Sequence, residues 1–296
     1  MKPFRKILFP IDFSEATTAM VPSVREMAER FNATVTVVNA FNLVREYSLA
    51  PSIEGTGNSE PAPILYSPAL QELRYQRERS LDEFARTQFS TVRHSTTIED
   101  GDPALVIRWV VQRENTDLIM MPTKGLGRFR RLLLGSVTAK VLHDVTCPVL
   151  TSAHQLDSTL TSHGSYRSIL CAVDLNSEAD SIFRTAAFLA QTYGAKICLL
   201  HIDPSSNENG QSPIALELRG AFDKALNAGK EPRGGGHELC LCALGSSIPE
   251  GIRQIAIKEG ADLVVVGRGH IKGTFSQAWS HLYRIIRESP CPVLSV

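Results

Sequence analysis

The segment Arg5-Lys-Ile-Leu-Phe-Pro-Ile-Asp12 is a short apolar run that ends at an aspartate, and Arg167-Ser-Ile-Leu-Cys-Ala-Val-Asp174 repeats it in the second half of the chain. Two further pairs follow in the same order. Thr116-Asp-Leu-Ile-Met-Met121 corresponds to Ala261-Asp-Leu-Val-Val-Val266, and Cys147-Pro-Val-Leu-Thr-Ser152 to Cys291-Pro-Val-Leu-Ser-Val296. A repeat of this length predicts a duplicated domain and not a solenoid.

Each half alternates short apolar runs with segments of helical period. Residues 7–11 and 34–40 read as buried strands, and Ser14 is placed to cap the helix between them. Strands this apolar, joined by helices, predict a doubly wound α/β fold whose sheets are parallel and covered on both faces. We therefore expect two tandem domains of five parallel strands each, with helices on both faces of each sheet.

The domain boundaries follow from the repeat and from composition. The first domain is predicted at residues 1–153 and the second at 166–296, joined by a linker over 154–165 that is rich in Ser, Thr and His. Residues 42–68 form an insertion in the first half, interrupted by Pro and Gly, and are expected to be a loop or lid.

Composition limits the classes of function. The chain has 296 residues, with Lys+Arg and Asp+Glu at 31 each, so no net charge attracts nucleic acid or anionic lipid. Its apolar runs are too short for a signal peptide or a membrane span. The six cysteines lie mostly inside apolar runs, as small buried hydrophobes do. We expect a cytoplasmic protein with no nucleic-acid or membrane partner.

The segment after the fourth strand of the first half is the candidate binding loop. It contains Gly125, Gly127 and Gly135 together with a basic cluster that includes Arg128, and it precedes a helix expected over about 134–145. Glycines let a backbone approach a ligand closely, and a helix start offers free N–H groups to an anion. The segment is neither a Walker A motif nor a dinucleotide-binding fingerprint.

This loop resembles the universal stress protein pattern Gly-x2-Gly-x9-Gly-Ser/Thr. Gly125, Gly135 and Ser136 match it, and Pro122 takes the place of the first glycine. Similar segments elsewhere, such as Gly101-Asp-Pro103, extend the resemblance over both halves apart from the linker and the insertion. The resemblance implies a tandem member of the family, with Rossmann-like domains of the adenine nucleotide alpha hydrolase-like type.

The resemblance also implies a nucleotide site across the ends of strands 1, 2 and 4. Pro10, Ile11 and Asp12 would face the adenosine, and Ala40 and Met121 would line the adenine pocket. The residues expected at the ribose and phosphates belong to the loop and the helix start: Pro122, Gly125, Gly127, Arg128, Gly135, Ser136 and Val137. ATP is the expected ligand, with Mg²⁺ accompanying it.

Two departures from the pattern bear on binding. Pro122 has no N–H, and a lost hydrogen bond to ligand would cost about 1–2 kcal/mol, or roughly tenfold in affinity. In the second half, alignment from Cys291 places Trp279 and Ser280 where the first half has Gly135 and Ser136. A tryptophan there would fill space used by phosphate, so the second half is interpreted as a non-binding partner domain.

Other sequence patterns give weaker indications of a functional site. His237-Glu-Leu-Cys240-Leu-Cys242 places two thiols on one strand face, but a metal site needs further ligands, and core cysteines explain the pattern as well. No Ser/His/Asp triad and no carboxylate pair is identifiable from spacing. The sequence therefore names no catalytic residue and no metal ligand, and an enzyme is not favoured.

Three functions stay open at this point. The first is a stress-response binding protein that holds an adenine nucleotide in its N-terminal half. The alternative is a nucleotide-free interaction or scaffold protein whose halves form a pseudo-dimer by pairing their last strands, with further homodimerisation left open. The third is a slow ATPase.

Overall fold

A computed structural model gives the fold and describes residues 4–41, 68–123, 134–152, 165–174, 179–202, 213–228, 247–268 and 277–296. The strands are β1 (Lys6–Pro10), β2 (Thr34–Phe41), β3 (Arg93–Asp100), β4 (Leu118–Met121), β5 (Val149–Thr151), β6 (Ser168–Ala172), β7 (Lys196–Leu200), β8 (Leu263–Val266) and β9 (Val293–Ser295). The helices are α1 (Glu15–Phe31), α2 (Pro68–Gln88), α3 (Pro103–Glu114), α4 (Ser136–Asp144), α5 (Ala179–Tyr193), α6 (Pro213–Ala228), α7 (Ile248–Lys258) and α8 (Gln277–Glu288).

The strands form one continuous sheet. Within the described residues it has nine strands in the order β3-β2-β1-β4-β5-β9-β8-β6-β7. Neighbouring strands within each half run parallel, and β5 and β9 pair antiparallel, with Leu150 opposite Leu294. The expected pairing of the two last strands within one chain is therefore found, and it joins the two halves edge to edge.

The predicted α/β architecture is confirmed. The first half has five parallel strands, and the second shows four in its described residues, because the strand expected at 237–243 lies outside them. The linker at 154–165 falls almost entirely outside the described residues as well, and so does the insertion up to residue 67. The domain boundaries stay predictions.

Helices cover both faces of the sheet, and each face has an apolar core that includes residues from both halves. One core is built by α1, α2, α5 and α6, with Phe9 and Leu294 among its buried side chains. The other is built by α3, α4, α7 and α8, with Leu8 and Val293 among its members. Alternate residues of each strand supply the two cores, as the twofold side-chain period of a strand requires.

Aromatic side chains also join the halves away from the sheet. The rings of Phe31 on α1 and Phe188 on α5 stack with their centroids 5.5 Å apart and an angle of 24°. Phe4 meets both edge-on, at 5.5 Å and 6.3 Å. Such pairs add about 0.5–1.5 kcal/mol beyond their buried area. The interface between the halves is thus an apolar core in its own right.

The sequence predicts the helix starts closely. Ser14 caps α1 by accepting a hydrogen bond from the Thr17 N–H, and Asp102 caps α3 by accepting from the N–H groups of Ala104 and Leu105, with Pro103 in the first turn. A side-chain oxygen at this position satisfies donors that a helix start leaves unpaired. The fourth helix of the first half begins at Ser136, two residues later than predicted.

Two observations concern the chain's surroundings. In the parts of the chain that the structure describes, no helix is both long enough and apolar enough to cross a membrane. Among the described residues, Cys147, Cys171 and Cys291 are free thiols. Burial raises the pKa of Cys147 to about 11 and that of Cys291 to about 12, so both carry their protons near neutral pH.

Candidate functional site

The direction of the strand order reverses between β1 and β4. These neighbouring strands are followed by helices on opposite faces of the sheet, since α1 packs on one core and α4 on the other. In open α/β sheets, ligands bind at such a reversal of strand order. Pro10, Asp12 and Met121 all lie at this edge, as the sequence predicts.

The turn after β1 is organised by Asp12. Its Oδ1 accepts a hydrogen bond from the Ser14 N–H at 3.0 Å and another from the Thr17 hydroxyl at 2.8 Å. The same turn is tied to the sheet by the N–H of Ile11, which donates to the Val38 carbonyl at 2.8 Å. Asp12 therefore shapes the start of α1, in addition to the role at a ligand that the resemblance assigns to it.

Phe13 holds an unusual backbone conformation at this turn. Its φ is 60°, in the left-handed region that non-glycine residues rarely adopt. The ring is fixed by an edge-on contact with Phe84 at 6.1 Å and by the guanidinium of Arg77, 5.7 Å from its centroid. Strain of this kind persists only where surrounding contacts enforce it, and it concentrates at functional turns.

Asn39 on β2 supports the turn, and sequence reasoning missed it. Its Nδ2 donates to the Ile11 carbonyl at 2.7 Å, whereas its buried Oδ1 has no hydrogen-bond partner among the described residues. The sequence did contain an indication, because Asn39 is a single amide side chain near the end of a mostly apolar strand. Asn39 fixes the backbone between β1 and the turn, and so positions Asp12.

Three predicted site residues lie on one face of the sheet. Met121 is a buried member of the core built by α3, α4, α7 and α8, and Ala40 and Val137 pack against it while partly exposed. They come from the ends of β2 and β4 and the first turn of α4. The residues predicted to line an adenine pocket thus lie on the same face of the sheet.

The start of α4 lies directly beside the end of β4. Gly135 is its N-cap, with φ −60° and ψ 140°, and it provides no side-chain cap. Its N–H donates to the Thr123 carbonyl at 2.8 Å, and the Thr138 hydroxyl donates to the Pro122 carbonyl at 3.1 Å. These bonds hold the start of the helix against the end of β4. An uncapped helix start at this place suits an anion.

An ion pair fixes the orientation of α4 relative to α3. Lys140 Nζ lies 3.0 Å from Asp102 Oδ2. This bond, aided by the two N–H groups that Asp102 caps, holds the pKa of the Asp102 carboxyl below its usual range although partial burial opposes the shift. Both side chains are well exposed, so we assign the pair a role in geometry and not a large stabilisation.

Part of the predicted site cannot be placed. Gly125, Gly127 and Arg128 lie in residues 124–133, outside the described residues. The same holds for His237, Cys240 and Cys242 of the candidate metal pattern. Among the residues that are described, no group of three His, Cys, Asp or Glu side chains is placed to hold a metal ion.

The corresponding edge of the second half differs. The position of Gly135, which caps α4, is taken by Trp279, which lies inside α8 because that helix begins at Gln277. Asp174 follows β6 and is exposed, and Gly267 follows β8. The glycine that caps α4 thus has no counterpart at the aligned position of the second half.

Comparison with known proteins places the chain in a family. The model of the universal stress protein family matches residues 3–152 and 165–296. A universal stress protein of Thermus aquaticus is 29% identical over 147 residues, which are 50% of this chain and 97% of that protein. Another, from Methanocaldococcus jannaschii, is 27% identical over 147 residues, covering 50% of this chain and 81% of its own.

A solved structure shares the fold over the whole chain. The universal stress protein from Archaeoglobus fulgidus superimposes with a TM-score of 0.69, covering 99% of this chain and 97% of that one at 19% sequence identity. The repeat, the strand order and the twofold match of the family model agree. This chain belongs to the universal stress protein family, as a member with two tandem domains.

Proposed function

We propose that the N-terminal half binds an adenine nucleotide, with ATP as the expected ligand, and that the chain acts as a cytoplasmic stress-response binding protein. One observation carries this proposal: Ala40, Met121 and Val137 pack on the same face of the sheet at the ends of β2 and β4 and the start of α4, and that helix start has no side-chain cap. An adenine ring requires the first feature and a phosphate group the second.

The residues present fit the chemistry of the ligand. The flat, apolar face of adenine would suit the apolar side chains on this face of the sheet, and the unpaired first N–H groups of α4 could donate to phosphate oxygens. Asp12, fixed by its turn, would accept from a ribose hydroxyl or the base. Since no acidic cluster is found among the described residues, Mg²⁺ would arrive with the triphosphate and be held by it.

The experiment uses a helix cap to separate binding from stability. The variant Gly135→Asp places a capping carboxylate at the start of α4, where the backbone φ suits any residue. The free energy of unfolding should therefore stay level or rise by a few tenths of a kcal/mol. The same carboxylate would repel a phosphate at this spot. We expect calorimetric titration with MgATP to show at least a tenfold loss of affinity.

The matched control lies in the second half. Ser247 is the N-cap of α7, has φ −61° and ψ 143°, and likewise forms no side-chain cap. Ser247→Asp places a carboxylate at a helix start of the same geometry, so stability should stay about level while ATP affinity stays at the wild-type value. No binding of millimolar ATP by the wild-type chain would refute the proposal, as would equal affinity in the two variants.

A second candidate function rests on the joined halves. The β5–β9 pairing and the two shared cores build within one chain an arrangement of the pseudo-dimer type, and Pro122 removes one N–H from the site. Both favour a nucleotide-free interaction protein, with slow ATP hydrolysis the least favoured of the three functions. Affinity capture with and without ATP separates them, because a nucleotide-free scaffold should bind its partner identically in both conditions.

A further inference from the structure

Strand β3 forms one edge of the nine-stranded sheet. All eight of its residues are in register with β2, from Arg93 opposite Thr34 to Asp100 opposite Phe41. Among the described residues, no strand pairs with its other side. An edge strand presents a row of backbone N–H and C=O groups without partners, and these groups can pair with a strand of another chain.

The middle of β3 lacks the features that normally protect an edge strand. Proteins blunt such edges with short strands, prolines, bulges or charged side chains. β3 has 8 residues, longer than the usual length of about five or six, contains no proline, and pairs with β2 without a bulge. Its central residues, Ser95, Thr96 and Thr97, are uncharged. The strand can therefore accept a further strand along this edge.

The charges of β3 are sorted by sign along the strand. It begins with Arg93 and His94 and ends with Glu99 and Asp100. The guanidinium of Arg93 is exposed and donates to the carbonyl and the side-chain oxygen of Asn32. Both acceptors are neutral, so no carboxylate among the described residues balances this charge. The amino end of the strand is thus basic.

The carboxyl end of β3 carries the opposite charge. Glu99 and Glu114 share one guanidinium, that of Arg113, at 2.7 Å and 2.8 Å. Two carboxylates around a single cation leave a net negative charge beside the end of the strand. Glu99 is also partly exposed, so it can bind a second cation from outside the chain.

Antiparallel pairing of β3 with a second copy of itself would bring these opposite charges together. Side chains that oppose each other in an antiparallel sheet point to the same face. Arg93 and Glu99 are six residues apart and therefore share a face of the strand. A symmetric pair with Thr96 opposite its own copy sets Arg93 of each chain opposite Glu99 of the other, and twofold symmetry makes this contact twice.

An exposed aromatic side chain lies beside the same edge. Trp109 on α3 is 47% exposed, and the centroid of its ring lies 4.3 Å from the guanidinium of Arg113, the group that binds Glu99. Leu105, one turn earlier on the helix, is 58% exposed. Tryptophan and arginine are enriched at the energetic centres of protein interfaces. An apolar contact is therefore available next to the strand edge.

We propose that the chain forms a symmetric homodimer in which the β3 strands of two copies pair antiparallel and join their sheets. Arg93 of each copy pairs with Glu99 of the other, and the Trp109 side chains flank the paired strands on the α3 face. The partner is a second copy because the order of charges along β3 is complementary to itself.

Sedimentation velocity tests the proposal on the full chain. One strand and its flanking side chains make a small interface, so we expect a monomer–dimer equilibrium with a Kd of about 10 μM. A wild-type chain that remains monomeric at about 200 μM would overturn the proposal.

Two charge reversals identify the interface by complementation. Arg93→Glu opposes two glutamates across the interface and Glu99→Arg opposes two arginines, so each variant alone should dimerise about tenfold more weakly. An equimolar mixture should recover dimers of wild-type affinity, because every charge contact in the mixed dimer again joins opposite charges. Positions 93 and 99 of one chain are about 20 Å apart along the strand, so no contact within a chain explains this recovery.

A control and a second measurement complete the test. Arg219→Glu, at an exposed position of α6, changes the net charge as Arg93→Glu does and should leave the dimer unchanged. Hydrogen exchange on the wild type, below and above the Kd, needs no variant and should become slower in residues 93–100 as dimers form. Exchange that stays unchanged there on dimerisation would refute the proposal, as would a mixture of the two folded variants that stays monomeric.

Discussion

The hydroxyl of Tyr193, at the end of α5, donates a hydrogen bond to Glu26 Oε2 on α1 at 2.9 Å, across the boundary between the two halves. Arg30 completes the contact, with its Nε 2.6 Å from Glu26 Oε1 and its guanidinium 4.5 Å from the centroid of the Tyr193 ring. Burial and the nearby carboxylate raise the pKa of Tyr193, so the hydroxyl keeps its proton.

This hydrogen bond can be tested without disturbing the ring. Tyr193→Phe keeps the contact of the ring with Arg30 but deletes the hydroxyl that donates to the Glu26 carboxylate. Because a hydrogen bond to a charged acceptor is lost, the free energy of unfolding should fall by about 1–2 kcal/mol. Urea denaturation measures the change. The control is Tyr75→Phe, whose side chain is 55% exposed and whose effect should stay within about 0.5 kcal/mol. Equal effects would show that the Tyr193 contact does not stabilise the interface.

The two halves should unfold together. One sheet runs through both, and both apolar cores contain side chains from each half, so neither half retains its core when the other unfolds. The two tryptophans, Trp109 in the first half and Trp279 in the second, permit a direct test. In the variants Trp279→Phe and Trp109→Phe, the remaining fluorophore reports one half alone. Coincident urea transitions are expected, and two separated midpoints would contradict the prediction.

Much of this architecture was predictable from sequence because it follows from local periodicity. The apolar runs predicted the strands and the alternation of strands with helices. The repeated Cys-Pro-Val-Leu segments at 147 and 291 indicated the two strands that pair at the centre of the sheet. The site residues Asp12, Ala40 and Met121 were named by the family resemblance and not by periodicity, and the parallel pairing of β1 with β2 and β4 brings the ends of these strands to one edge of the sheet.

The rest depends on three-dimensional relationships that no local pattern carries. The positive φ of Phe13 is enforced by Phe84 and Arg77, which follow the insertion in sequence. The role of Asn39 depends on the register that sets Val38 beside Pro10. Arg268 reaches carbonyls more than a hundred residues away. Each is a consequence of packing between segments that are distant along the chain.

The aspartates that precede β4 and β8 occupy equivalent positions in the repeat, but their carboxylates accept hydrogen bonds in different ways. Asp117 accepts the N–H groups of Arg5 and Lys6 on a single oxygen, Oδ2, at 2.9 Å each. Asp262 accepts from Arg167 on Oδ2 and from Ser168 on Oδ1, at 2.7 Å and 3.0 Å. An asparagine has one acceptor oxygen. It can therefore accept both hydrogen bonds that Asp117 accepts, but only one of the two that Asp262 accepts.

Asp262→Asn should therefore destabilise the chain more than Asp117→Asn. One backbone N–H would be left facing an amide NH₂, at a cost of about 1–3 kcal/mol. Burial raises the pKa of the Asp262 carboxyl, so a neutral side chain recovers part of its desolvation cost, and we expect a net difference of about 1 kcal/mol between the two variants. Urea denaturation at pH 7 measures both. The opposite order would refute the assignment of acceptors.

Pro122 gives the sharpest prediction for the proposed nucleotide site. Pro122→Gly restores the N–H that the family pattern supplies, and the bond from the Thr138 hydroxyl to the carbonyl of residue 122 remains available to hold the backbone in place. We expect ATP affinity to rise about tenfold, the equivalent of one hydrogen bond, while the free energy of unfolding falls by about 1 kcal/mol because glycine gains freedom in the unfolded chain.

Pro249→Gly, in the second half, should lower stability and leave ATP affinity unchanged. Calorimetric titration distinguishes the two, and a Pro122→Gly chain that binds ATP no more tightly than wild type would show that this backbone position does not contact the ligand.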